Sequence, residues 1–274
     1  MALQLDERQR AMLLEMGVRV WLPGTAFAVL AENDPAPAVP TRPAAAPVEA
    51  RAPLPAPVAP KVPNVPVVAP EVMVAASDLA ALDWNGLADT AAACTACGVC
   101  AGRKFGTLQP AAQAQADWMV VGDPPEEEED AAAQAFTGAP GQLLDNMLQA
   151  VGASRTGSGP QGAYATNVVK CRPPHGRNPT PADLAECARF LQREVELVRP
   201  KVIFAVGRFA IQTLLSEHGA LATQPLGKLR GMVYRYRGIP VVVSYHPKLL
   251  LRNSADKAKA WADLCLAMDS MSPS

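Results

Sequence analysis

Apolar positions between residues 118 and 268 fall into short continuous runs that alternate with helix-spaced stripes. Trp118-Met119-Val120-Val121-Gly122 is an unbroken apolar run ended by glycine, which predicts a buried strand. Leu143, Leu144, Met147 and Leu148 share one side of a helix predicted over 142–151, and Tyr164 to Val169 reads as the next strand. Thr180-Pro181 places a capping hydroxyl and a first-turn proline before a helix that runs to Val198, and Pro200 ends it. Lys201 to Val206 is a strand closed by Gly207, followed by a short helix through Leu215. Met232 to Tyr236, the turn at Gly238 and Pro240 to Tyr245 predict a hairpin-like pair, and Ala255 to Met268 a closing helix.

Near-continuous apolar strands separated by helices are the pattern of a parallel sheet covered on both faces, so the fold class is α/β. Binding sites in such sheets lie beyond the carboxyl ends of the strands. That rule singles out Gly122-Asp123, Asn167, Gly207 and Tyr245-His246. The acidic run Glu126 to Asp130 reads as a solvated turn.

The rest of the chain is patterned differently. Residues 34–70 are almost wholly Pro, Ala and Val and hold twelve of the chain's 27 prolines. With no amphipathic period, such a stretch cannot offset its ordering entropy by burial, so 31–76 is expected to be a disordered, polyproline-like linker. Extended at ~3.1 Å per residue it would reach roughly 100 Å. Ahead of it, Leu5, Met12, Leu13 and Met16 share a helix face and Trp21 follows, so residues 1–30 read as an amphipathic helical docking peptide. The folded domain is expected over 77–274.

Net charge is -1 over 274 residues, but from residue 90 onward 19 Lys or Arg face 16 Asp or Glu, five of them in the single acidic run. A modestly basic surface is compatible with phosphate contacts without requiring them. No apolar run approaches the ~20 residues of a membrane span, and the N-terminus lacks a signal-peptide plan, so a cytoplasmic protein with no membrane contact is expected.

Cys94 and Cys97 form a C-x2-C pair, and Cys171 and Cys187 are two widely spaced partners. Thiolates in this arrangement hold an iron–sulfur cluster or zinc, and a chain without an export signal suits metal ligation better than disulfides. Cys97 and Cys100 are also spaced C-x2-C. Cys171 sits in Thr166-Asn167-Val168-Val169-Lys170-Cys171-Arg172-Pro173-Pro174, where a strand runs out into a basic, proline-stiffened loop.

These elements carry a resemblance. Asn167 within TNVVKCRPP, the stretch Phe136 to Leu144 (FTGAPGQLL), the stretch Ser244 to Arg252 (SYHPKLLLR) and the four cysteines together resemble a family-4 uracil-DNA glycosylase, from about Cys94 to Cys265. The resemblance implies a three-layer α/β/α sandwich around a four-stranded parallel sheet. It also implies a monomer of the bacterial cytoplasm and nucleoid that hydrolyses the N-glycosidic bond of uracil in single- or double-stranded DNA. Implied roles follow residue by residue. Asn167 reads the uracil edge, Phe136 stacks on the flipped ring, and Gly122, Gly138 and Gly141 admit close backbone approach. His246 stabilises the departing uracil anion, and Asp123 orients or activates water. Arg172, Arg177 and Arg252 hold phosphates. A 4Fe-4S cluster on Cys94, Cys97, Cys171 and Cys187 pins the loop after Cys171; the count from Cys97 to Arg103 matches the family's basic residue and favours Cys94 over Cys100.

The chain departs from the family pattern in two places. Asp123 stands where glutamate is commoner, and Glu126 takes the position of the first motif's last glycine. The loop His175-Gly176-Arg177-Asn178-Pro179 replaces the more usual Gly-Asn-Arg-Asp-Pro. The stretch Met16 to Trp21 is also similar to the N-terminal peptide of the psi subunit of the bacterial replicative clamp loader, which implies a replication-protein partner. An alternative reading is therefore a weakly active or inactive glycosylase-fold protein that tethers DNA at the replication machinery.

Overall fold

The computed structural model describes residues 79–109 and 115–271. The docking peptide expected over 1–30 and the linker expected over 31–76 lie outside the described residues. One sheet holds β1 (Ala116–Gly122), β2 (Gly159–Asn167), β3 (Val202–Val206), β4 (Val233–Tyr236) and β5 (Ile239–Ser244), in the order β2-β1-β3-β5-β4. β1, β2, β3 and β5 run parallel, while β4 pairs antiparallel with β5. The four-stranded parallel sheet expected from the sequence thus carries a fifth strand on its edge, supplied by the predicted hairpin.

Helices flank the sheet: α1 (Trp84–Ala93), α2 (Glu127–Ala132), α3 (Gly138–Ala150), α4 (Pro181–Val198), α5 (Arg208–Leu214), α6 (Leu226–Leu229), α7 (Pro247–Arg252) and α8 (Lys257–Met271). Successive strand residues point to opposite faces, which divides the core in two. Met119, Val121, Ile203, Ala205, Val241 and Val243 pack with α1, α4 and α5. Trp118, Val120, Phe204, Val206 and Val242 pack with α3, α7 and α8. Both sets are almost completely buried, and each large side chain removed from water contributes ~1.5–3 kcal/mol. No described helix is long and apolar enough to cross a membrane.

Local signals account for several boundaries. Thr180 caps α4, accepting from the Asp183 N–H at 3.1 Å while Asp183 accepts from the Thr180 N–H at 2.9 Å; Arg199 in the left-handed region ends the helix. α3 begins at Gly138, four residues before the start predicted at 142.

The acidic run is a correction. It is a helix, not a solvated turn: Glu126 and Glu129 form a reciprocal capping box at the start of α2. Asp130 is 2% exposed because its carboxylate accepts the backbone N–H groups of Lys104, Phe105 and Gly106. A buried carboxylate is stable only when its oxygens are satisfied in this way. Its position ties the segment after the first cysteines to the turn after β1.

Candidate active site and cysteine cluster

The carboxyl ends of β1, β2, β3 and β5 open on a cavity of about 550 Å³ lined by Asp123, Glu128, Glu129, Phe136, Thr137, Arg208, His246 and Arg252, among others. Gly122 and Asn167 are register partners across β1 and β2, so the two sequence motifs meet at the strand ends. Asn167 is 1% exposed and stands behind the cavity wall. Its Nδ2 donates to the Asp123 carbonyl at 2.9 Å and to Glu129 Oε1 at 3.4 Å. Both partners are acceptors, which fixes the orientation of the amide. Asn167 Oδ1 is buried and without a partner, and so is Thr137 Oγ1 on the cavity wall. Buried unpaired acceptors are rare in folded proteins and mark places where a ligand completes the bonding. The amide's N–H groups are thus already used, leaving an acceptor where the resemblance implied a donor and an acceptor.

His246 caps α7, and its Nδ1 accepts the Lys248 N–H at 3.2 Å. The ring proton must therefore sit on Nε2. Burial pushes its pKa down to about 4, with Lys248 acting in the same direction and Glu126 opposing. At neutral pH the ring is an uncharged donor. Its face lies on Phe136, with centroids 5.4 Å apart and planes 17° from parallel.

Phe136 is 1% exposed and has φ +56°, an unusual conformation for a bulky residue. The turn is held from both sides. Its N–H donates to Glu129 Oε1 at 2.6 Å, and its carbonyl accepts Arg155 Nη1 at 3.1 Å, with Arg155 gripped by Asp145. Two of the predicted glycines make room for Phe136, one for its ring and one for its main chain. A Cβ on Gly122 would lie 2.4 Å from Phe136 Cζ, and one on Gly141 would lie 2.0 Å from the Phe136 carbonyl oxygen. Gly138 has φ +60° and faces Glu128. Gly122→Ala is expected to lower stability by about 1–3 kcal/mol through overpacking and to reduce turnover. Thermal unfolding and excision assays would check it, and wild-type behaviour in both would refute the packing argument.

Asp123 faces the N-terminus of α5. Its Oδ1 accepts the Phe209 N–H at 2.7 Å, and Gly207, with φ +104°, makes room for the carboxylate. Burial raises its pKa, opposed by the amides of Phe209, Ala210 and Arg208. Glu129 is also raised by burial. Glu126 also lines the cavity and pairs there with Lys248. The charge at the usual glycine position is therefore met by a cation on α7.

The three predicted phosphate contacts separate. Arg252 lines the cavity and makes no ion pair among the described residues. Arg172 pairs with Glu127 at 3.0 Å. Arg177 pairs with Asp183 at 2.9 Å, which stitches the loop to α4. Arg208 and Lys248 line the cavity as well, and neither stands out in the sequence. Glu129 and Thr137 were equally hidden: the capping box that draws Glu129 in starts from Glu126, and glutamate is not a usual N-cap, while a threonine before a glycine has no periodic mark.

Among the described residues Cys94, Cys97, Cys100, Cys171 and Cys187 form no disulfide. Cys94, Cys97, Cys100, Cys171 and Cys187 line one small cavity between α1 and α4. Arg103 Nη1 donates to the Cys94 carbonyl at 2.9 Å and to Cys171 Sγ at 3.3 Å, and the Lys170 N–H donates to Cys187 Sγ at 3.3 Å. Burial pushes the Cys171 thiol up to about 11 and Cys187 to about 12. Charge on Cys94 acts on Cys97 and Cys171, and charge on Cys97 and Cys171 acts on Cys187, each opposing a further thiolate. Among the described residues no three His, Cys, Asp or Glu side chains gather closely enough to hold a single metal ion.

Residues 110–265 match the family model of the uracil DNA glycosylase superfamily. The chain is 36% identical to a Type-4 uracil-DNA glycosylase of Archaeoglobus fulgidus over 50% of the chain and 68% of that protein. It is similarly 36% identical to a Type-4 uracil-DNA glycosylase of Thermotoga maritima, over 52% of the chain and 69% of the relative. One of Pyrobaculum aerophilum is 34% identical over 54% and 74%.

Proposed function

Because the chain belongs to the uracil DNA glycosylase superfamily, we propose that its strand-end cavity excises uracil from DNA by hydrolysing the N-glycosidic bond. The observation that carries the residue assignment is the buried Asn167 Oδ1 at the end of β2, unpaired among the described residues, together with an uncharged His246 on the cavity wall. A uracil turned out of the stack presents an imide N–H to Asn167 Oδ1 and a carbonyl oxygen to the His246 Nε2–H. As the bond to the sugar lengthens, negative charge collects on that oxygen. A neutral, preoriented donor stabilises it without a proton having to move first. Asp123 places its carboxylate, already held by the α5 amides, where positive charge builds on the sugar and where water attacks. Phe136 offers an apolar wall for the ring, and Arg208, Lys248 and Arg252 offer cations for the flanking phosphates.

The cysteine cavity fits an iron–sulfur cluster. Its donors are soft sulfurs, two of them already accept N–H groups, and burial disfavours their free thiolates, which a bound cation would reverse. Cys94, Cys97, Cys171 and Cys187 would hold it, with Arg103 already bridging the Cys94 carbonyl and the Cys171 sulfur. The group would supply cross-linking of α1, α4 and the loop after Cys171, not redox chemistry at the sugar.

The test is excision itself. Anaerobically purified protein, shown to carry iron, is incubated with a uracil-containing single strand and then with alkali; cleavage at the uracil is expected. The rate should hold from neutral pH down to about 5, because a His246 with a pKa near 4 is still uncharged there. A decline centred near 6.5 would contradict the buried-histidine assignment. Tight binding without product would favour the tethering alternative.

A further inference from the structure

We propose that Lys170 is a positioning residue for Asn167, acting as a buried strut that links the uracil-reading turn to α4 beside the cysteine cavity. The inference rests on the reading of Asn167 given above. Lys170 stands in a motif that looks like a basic loop, yet it is 2% exposed. An ammonium has three donors, and all three are used. Lys170 Nζ donates to the Asn167 carbonyl at 2.7 Å, to Thr166 Oγ1 at 2.8 Å and to the Glu194 carboxylate. Glu194 is fully buried and is satisfied in turn, accepting Thr166 Oγ1 at 2.8 Å and the Tyr164 hydroxyl at 2.7 Å. The main chain of Lys170 is held too: its N–H reaches Cys187 Sγ, and its carbonyl accepts the Thr107 N–H at 2.9 Å.

The consequence is local and geometric. After Asn167 the chain leaves the sheet, and Lys170 reaches back over that turn to fix the Asn167 carbonyl. The Asp123 carbonyl and Glu129 fix the same residue's amide from the other side. With backbone and side chain both anchored, Oδ1 has one direction in which to point. Stability alone does not explain the arrangement, because a buried ion pair is often matched by apolar residues of similar size. A fully satisfied network does specify one geometry.

The experiment uses the Lys170→Met/Glu194→Met double variant, which leaves no uncompensated buried charge, with wild type as reference. Thermal unfolding, iron per chain, affinity for a uracil-free strand, and KM and kcat on a uracil-containing single strand are measured. The expected result is near-wild-type unfolding, iron content and strand affinity with kcat reduced by at least about tenfold, as a small misplacement of a reading group costs. Wild-type kcat in a folded, iron-loaded double variant would overturn the proposal. So would a loss of kcat that merely tracks lost iron or unfolding, since the pair would then be structural. Should the double variant not fold, Thr166→Val removes one anchor of the ammonium without changing shape; a fall in kcat of about threefold or more, with iron retained, is expected, and unchanged kcat overturns the proposal. An inactive wild type would overturn the reading of Asn167 itself, and the strut's role with it.

Discussion

Asn167→Ala is expected to lower single-turnover excision of uracil from a single strand by about a thousandfold, while affinity for a uracil-free strand stays within about twofold. The size follows from how the site is built. Asn167 Oδ1 is buried and unpaired among the described residues, so a bound imide N–H completes its bonding. Truncation removes that acceptor and strips Glu129 and the Asp123 carbonyl of a shared donor. Sites that read a base by buried hydrogen bonds lose far more on truncation than apolar pockets do. Stability should fall by only ~1–3 kcal/mol, the cost of unpaired buried groups. Asn167→Asp should not rescue activity, because it places a third carboxylate beside Asp123 and Glu129, both already raised by burial. Wild-type turnover in Asn167→Ala would sink the assignment.

Cys187→Ala is expected to purify without bound iron and to unfold roughly 10 °C or more below the wild type. Cys187 sits on α4 with its sulfur against the Lys170 N–H, and the cavity brings it to Cys94, Cys97 and Cys171. Loss of one thiolate unties α4 from α1 and from the loop that carries Arg172 and Arg177. Limited proteolysis should then cut in 98–109 or 172–180 before it reaches the sheet. Cys100→Ala, by contrast, should keep its iron, since Cys100 lies on the cavity wall but outside the proposed ligand set. Iron lost from Cys100→Ala and kept in Cys94→Ala would reverse the ligand assignment. Absorbance, iron content and thermal unfolding decide between these outcomes.

Several features were legible because their causes are local. α4 could be bounded to the residue, since Thr180, Pro181 and Pro200 act through their own backbone geometry. The strands could be found because apolar runs need no partner to be recognised, and the strand-end rule then pointed at Asp123, Asn167, Gly207 and His246 together. Other features were hidden because a residue type does not state its environment. Glu129 and Asp130 look like two more solvent-facing acids, and only the capping box and the amides of residues 104–106 draw them inside. Lys170 looks like a phosphate contact until Glu194 is seen 24 positions away. Arg177, a phosphate contact by the family resemblance, also pairs with Asp183, which its position in the sequence does not show.

By itself, then, the sequence determined an α/β domain, the order of its strands along the chain, the strand ends at which chemistry gathers and a cysteine set suited to an iron–sulfur cluster or zinc. Those follow from periodicity, caps and spacing, which act over a few residues. Tertiary structure alone decided which atoms were left over for a substrate: Asn167 Oδ1 and not its amine, His246 Nε2 and not Nδ1, Arg252 free of ion pairs and Arg177 engaged. These are outcomes of pairing between groups far apart in the chain, and a polar atom's availability depends on every neighbour that packing brings within hydrogen-bonding reach.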